Sequence, residues 1–446
     1  MSRAVALVLV LLFMLLARFA FDEAVTFDDA LPTLTFGFLM LAAYLVGDVL
    51  AQFKIPKITG YIVAGVLLGP EVSGFVTAET VSELKLIDEL ALSFIALAAG
   101  GELRLSELRP RARSVMLTLL FTAVLVLPGV AAFVAVARPL LPFLKAGATS
   151  ELFAVAGIMG AFALARSPSS AIAIINECRA RGPFTETVLG VTVVMDLLVI
   201  MLFAIVVSFS LVLVNPAATA DYAFLLVVAA ELVASIVVGI AVGGIISFYI
   251  RAVKADLLVF ILGIAFMIAF FSHQLGALLE TFYGLSLHLE PMLISVTAGF
   301  WVQNFSQGGS TFMDRIGRSS LPIYVIFFSL TGAALEVGAL RHTWLIASLL
   351  VVVRFTLIWL ASYAGAALAG DPPAFRRLAG LSYVTQAGVS LGLAGIVVRR
   401  FPEWGGALAT VMVAVITLNQ LIGPILLEYA LTAVGEARIR PGRRSS

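Results

Sequence analysis

Long stretches of this chain are apolar without interruption. Its hydrophobic residues do not recur with the period of a half-buried surface helix. They run together in long blocks, most of them reaching the roughly 17–25 residues a helix needs to cross a bilayer. The blocks lie at 4–20, 33–51, 56–70, 84–101, 114–137, 151–177, 184–214, 222–248, 257–279, 290–305, 320–339, 343–369, 377–398 and 405–434, those at 56–70 and 290–305 being short. In hydrocarbon every backbone N–H and C=O must find its partner within the protein, which makes each block a helix. The pattern predicts an all-α polytopic membrane protein with about 13–14 transmembrane helices.

The polar positions between blocks carry a second signal. Followed from the N-terminus, alternate loops collect most of the 28 Lys and Arg residues, among them Lys54, Lys57, Arg104, Arg109, Arg179, Arg181, Arg315, Arg318 and the tail from Arg438. The opposite side holds Arg18, Lys85, Arg138, Lys145, Arg341, Arg399 and Arg400. The basic side faces the cytoplasm, so both termini are expected there and the chain in an inner (plasma) membrane. The division is an N-terminal helix and loop over 1–32, a transmembrane domain over 33–434 and a short basic tail over 435–446. The first block could also serve as a signal peptide. Arg18 or Leu15 would then stand at a cleavage position that wants a small residue, which favours an uncleaved helix.

Composition agrees. Of 446 residues 61% are hydrophobic and 12% charged, against about 25% charged in soluble domains; membrane lipid must cover the remainder. A net charge of +1 gives no case for a nucleic-acid partner. The single cysteine, Cys178, excludes an intrachain disulfide and a cysteine-based zinc site. His273, His288 and His342 are scattered at expected helix ends and read as interfacial. There is no GxxxxGK[ST] phosphate loop and no GxGxxG after a strand pattern, so neither ATP nor a bound cofactor is expected.

The halves repeat. Val63-Ala64-Gly65 matches Thr297-Ala298-Gly299, and Gly100, Leu103, Leu108 and Arg109 match Gly332, Leu335, Leu340 and Arg341 at nearly the same offset. An odd number of blocks separates the copies, so they are inverted. Inverted repeats with interrupted helices at corresponding places mark secondary transporters. The block at 151–177 contains Arg166-Ser167-Pro168-Ser169-Ser170, in which Pro168 removes a backbone donor and clashes with the preceding turn. Its counterpart carries Thr385-Gln386-Ala387-Gly388.

Ionisable groups inside a membrane are costly, and each is a functional suspect. Asp196 stands deep in an apolar block. Desolvation disfavours a charged carboxylate, so this one can hold a proton or trade it for a cation. Arg354, inside the block at 343–369, keeps its charge under physiological conditions and is expected to pair with Asp196 or Glu231. Arg166 is harder to place: a fixed positive charge beside a cation site would repel the cation unless it snorkels away or pairs with Asp196, and it would equally suit an anionic substrate. The hydroxyls of Ser167, Ser169, Ser170, Thr192 and Thr385 are candidate oxygen ligands. Asp48, Asp88 and Glu89 read as interfacial, Glu102 and Glu336 as structural.

The stretch Lys54-Ile-Pro-Lys-Ile-Thr-Gly-Tyr-Ile-Val-Ala-Gly-Val-Leu-Leu-Gly-Pro70 resembles the opening signature of the cation:proton antiporter superfamily, in its sodium/proton or potassium/proton exchanger domain. Leu97 to Arg109 resembles the second signature. Ser167-Pro-Ser-Ser170 and Met195-Asp196 fall where that family keeps its crossing helix and its aspartate. The resemblance implies a homodimer built on a panel from blocks 33–101 and 257–339. A core from 114–214 and 343–434 would move like an elevator against it, with Asp196 as the ion- and proton-binding carboxylate and Arg354 as the buried basic residue. Where electrogenic relatives carry two adjacent acids, the first is here Met195, and Ser167 stands where many have an acid in the break. One carboxylate implies electroneutral exchange of Na⁺ or K⁺ for H⁺. The alternatives are a proton-coupled or uncoupled transporter of an anion or organic acid on Arg166, and a non-transporting membrane sensor or enzyme. The enzyme lacks a cluster of convergent catalytic groups in this sequence.

Overall fold

The computed structural model describes residues 31–53, 55–144, 148–214, 222–253, 256–283, 289–387 and 389–437. The block at 4–20, the tail from Arg438 and Gly388 lie outside the described residues. From residue 33 onward every expected block holds helix. The order is α1 (Leu31–Leu50), α2 (Lys57–Leu68), α3 (Ala78–Glu83), α4 (Lys85–Glu102), α5 (Leu105–Val136), α6 (Thr149–Phe162), α7 (Pro168–Cys178), α8 (Pro183–Val214), α9 (Tyr222–Ala252), α10 (Leu257–Tyr283), α11 (Pro291–Phe305), α12 (Gly309–Ala333), α13 (Gly338–Ala369), α14 (Pro373–Leu378), a 3₁₀ turn (Ala379–Tyr383), α15 (Val389–Arg400) and α16 (Gly405–Val434). Among the described residues there is no strand. Among the described residues, six helices are long and apolar enough to cross a bilayer by themselves. Met116, Leu120 and Val124 of α5 and Val233, Val237 and Phe248 of α9 present apolar side chains outward, a surface suited to lipid.

The helices pack in two groups. In one, α2 packs on α1 and α12, and α4 on α10, α11 and α12. In the other, α5 packs on α6, α8 and α13, and α16 on α13 and α15. Helix α9 bridges them, touching α8 and α11. We call the first group the frame and the second the core.

The repeated glycines explain the frame. A Cβ on Gly65 would overlap the Ser329 carbonyl, and one on Gly332 the Ile62 carbonyl; one on Gly100 would overlap the Val296 carbonyl, and one on Gly299 the Leu97 carbonyl. The α2–α12 and α4–α11 crossings therefore run backbone against backbone, as small residues permit in membranes. Each seam uses one glycine from either repeat, so the inverted symmetry of the sequence becomes a symmetry of contacts.

The helix ends repeat it. Asn304, at the end of α11, accepts from Leu105 N (2.7 Å) and donates to Leu103 O (2.8 Å), capping α5. At the corresponding place in the other copy, Glu71 accepts from Gly338 N and caps α13. Carboxylates suit helix N-termini because unpaired N–H groups and the dipole point at them. Glu177 of α7 likewise takes the N–H groups of Lys57 (2.8 Å) and Ile58 (3.4 Å) at the start of α2. Asn176 donates to the Tyr324 hydroxyl (2.9 Å) of α12. Glu436 takes Phe184 N (2.8 Å), Thr185 N (2.7 Å) and the Thr185 hydroxyl (2.7 Å) at the start of α8.

Candidate functional site

Two helices are interrupted at the centre of the core. The first stops at Phe162 and resumes at Pro168. Pro168 thus begins the second half-helix instead of kinking a continuous one: its missing N–H costs nothing at the first helical position, where no partner exists. Ser167 is the N-cap, its Oγ accepting from Ser170 N (3.2 Å). The second interruption runs from the end of the 3₁₀ turn at Tyr383 through Val384–Ala387. The two cross, with Ser167 N donating to Thr385 O (3.0 Å). Gly423 of α16 lies against the Thr385 backbone, where a side chain would not fit.

Opening two helices inside a protein strands carbonyls, and an unpaired buried acceptor costs about 1–3 kcal/mol. Arg354 meets them. Its Nε donates to Ala163 O (2.8 Å), Nη2 to Ala165 O (2.7 Å) and Nη1 to Val384 O (2.8 Å), so one guanidinium fastens both interruptions. This corrects the expectation of a carboxylate partner, since these bonds all go to backbone dipoles. Five rigid donors suit that task better than a point charge. Gln386 adds to it, donating to Phe162 O (3.2 Å) and accepting from Asn419 Nδ2 (2.7 Å).

Arg166 is 1% exposed. Its guanidinium lies 4.1 Å from the centre of the Tyr383 ring, and Nη2 donates to the Thr122 hydroxyl (3.1 Å). Its Nε and Nη1 are buried without a hydrogen-bond partner. Arg166 therefore neither snorkels out nor pairs with Asp196; the aromatic face supplies the compensating field.

Asp196 is 8% exposed, on α8. Its Oδ1 is buried without a hydrogen-bond partner, an arrangement that costs stability unless something else occupies the place. The side chain lines a cavity of about 20 Å³ shared with Pro168, Glu290 and apolar residues of α8 and α11. That volume holds about one water-sized particle. The first turn of α7, whose dipole favours negative charge, borders it.

The structure thus brings Asp196 and Pro168 to one cavity, whose lining does not include Ser167, Ser169, Ser170, Thr192 or Thr385. Ser167, Ser169 and Ser170 bond to one another (Oγ–Oγ 3.1 Å and 2.9 Å). Thr192 donates to Val188 O (2.7 Å) within its own helix. Asp48, near the end of α1, is buried and bonded to Lys57. Sequence reasoning passed over Glu290, Tyr383, Thr122 and Asn419. Asn419-Gln420 was visible as a polar pair inside an apolar block, while Glu290 and Tyr383 stand near block edges, where such residues are ordinary.

An all-α membrane fold with inverted repeats and two unwound segments crossing over buried charges is that of a secondary transporter. The chain belongs to the sodium/hydrogen exchanger family, whose transmembrane-domain model matches residues 37–432. Among curated proteins, the Bacillus cereus protein named "Probable Na(+)/H(+) antiporter GerT" is 27% identical over 177 residues, 38% of this chain and 42% of that protein's length. The match therefore spans less than half of that relative. Among solved structures, the sodium proton antiporter MjNhaP1 of Methanocaldococcus jannaschii at pH 8 superposes with a TM-score of 0.64 at 18% identity, over 90% of this chain and 96% of the other. An electron-microscopy structure of the same antiporter gives 0.67 at 17%, over 91% and 98%. At those identities the likeness is one of fold.

Proposed function

We propose that this chain exchanges a monovalent cation, Na⁺ or K⁺, for protons across an inner membrane by alternating access. Asp196 is the shared site. The observation that carries this reading is a nearly buried carboxylate with an unpartnered oxygen, facing a one-particle cavity beside a broken helix. Proton and cation cannot occupy it together, and that exclusion is the coupling. The core (α5–α8 and α13–α16) moves as an elevator against the frame, which forms a homodimer, with Arg354 holding the two breaks rigid during the motion. Membership of the exchanger family and the fold shared with MjNhaP1 support the reading. With Asp196 as the one carboxylate in the buried apolar stretch of α8, beyond Glu186 of its first turn, the exchange is electroneutral, and both termini are cytoplasmic.

The test is a pH-gradient dye assay in everted vesicles, adding Li⁺, Na⁺ and K⁺ in turn, with the parent beside Asp196→Asn. The parent dissipates the gradient with at least one cation, and D196N does so with none; an active D196N overturns the reading. Reconstituted flux should ignore an imposed potential, because a net charge per cycle would couple at about 2.3 kcal/mol per 100 mV. The two unpartnered donors of Arg166 favour one second reading, an anion carried on that guanidinium. Loss of flux in R166A with retention in D196N would establish it.

A further inference from the structure

The cavity at Asp196 has walls from different bodies. Pro168 and Asp196 belong to the core, and Glu290, Met292 and Leu293 to the start of the frame helix α11. Glu290 stands at the N-cap position of α11, yet its side chain does not cap that helix. Its backbone is fixed instead, Glu290 N donating to the Ser235 hydroxyl of α9 (3.0 Å). The cavity therefore has one carboxyl side chain on each wall, among otherwise apolar groups. Two carboxylates bordering a space of about 20 Å³ offer one cation attraction from both walls at once. On the core wall, Oδ1 of Asp196, nine-tenths buried and unpartnered, awaits such an occupant.

We propose that Glu290 is a one-sided ligand for the transported monovalent cation: it completes the Asp196 site with a frame carboxylate in the state described here and is left behind when the core moves. This rests on Asp196 as the exchange site. A ligand on the stationary body can help bind the cation at only one membrane face. The charge bias places the start of α11 on the non-cytoplasmic side, so apparent cation affinity is enhanced at that face and set by Asp196 without Glu290 at the other.

The test titrates cation against flux in everted and in right-side-out vesicles, for the parent, Glu290→Gln and Glu290→Asp. E290Q should raise the half-saturating cation concentration at the non-cytoplasmic face by roughly tenfold or more, the loss of one charged ligand. At the cytoplasmic face it should change by less than about twofold, a margin small beside that loss. E290D restores most of the affinity. Should E290Q fail to accumulate, E290D still tests the point through a smaller shift confined to the same face. An equal shift at both faces, or none at either, overturns the proposal. If D196N exchanges like the parent, the underlying reading fails; if D196N is inactive while E290Q matches the parent at both faces, only the one-sided ligand fails.

Discussion

The frame seams and the core crossing both bring backbones into contact, and they do so in opposite ways. At Gly65–Gly332 and Gly100–Gly299 the helices run on without a break, and removing side chains allows the approach. At the crossing the helices are opened, and Ala163, Ala165, Val384 and Thr385 display carbonyls that another part of the chain must bond. The seam is complete without polar groups and so carries no site. Around the crossing, Asp196 Oδ1, Nε and Nη1 of Arg166, Asn419 Oδ1, both amide atoms of Gln420 and the hydroxyls of Ser382 and Ser390 are buried without a hydrogen-bond partner. Binding capacity sits where the hydrogen-bond account of the core fails to close.

Substitutions at three positions probe that contrast. Arg354→Met keeps the length and removes the donors, orphaning three carbonyls at about 1–3 kcal/mol each. It should give the largest effect, a collapse of monodisperse protein on size-exclusion chromatography in detergent and loss of flux, with Arg354→Lys intermediate. A normally melting R354M would mean that the crossing holds itself. Gly332→Val forces a side chain into the seam and should lower stability by about 1–3 kcal/mol, an overpacking cost. Flux per folded molecule should persist, because no polar group at the crossing is touched. If its loss of flux exceeds its loss of folded protein, the frame is more than a support. Thr122→Val removes the hydroxyl bonded to Arg166 and should cost about 1 kcal/mol, read as a small drop in melting temperature. An unchanged melting temperature would show that the Tyr383 ring alone satisfies the guanidinium.

The sequence made the helices legible because hydrocarbon allows little else, and it made the glycine seams legible because a close crossing needs the same small residue in both copies. It singled out Asp196 as a charge in an apolar run, the first interruption through Pro168, and the second through Thr385-Gln386-Ala387-Gly388 at the corresponding place in the repeat. It did not reveal what each group touches. Arg354 suggested a carboxylate partner because charges are the only partners a linear string displays; the carbonyls it bonds exist only once two helices are unwound beside it. Ser167, Ser169 and Ser170 read as candidate ligands because hydroxyls near a break are generic; the sequence did not show that the Ser167 hydroxyl also caps α7 and bonds to the other two. Glu290 went unnoticed because an acid at a block's edge resembles any interfacial acid until a second helix places Asp196 across a gap from it.

The bonds from Arg354 to Ala163 and Ala165 span 191 and 189 residues. A ribosome adding about 5–20 residues per second needs roughly 10–40 s to cover that separation. For that interval the nascent first repeat is in the bilayer with its interruption made and its arginine not yet synthesised. Lateral packing of the early helices therefore cannot finish before the later ones arrive, and the insertion machinery, or water held beside it, must shelter an open strand of backbone in the meantime. The crossing can be fastened only once the second repeat has been made.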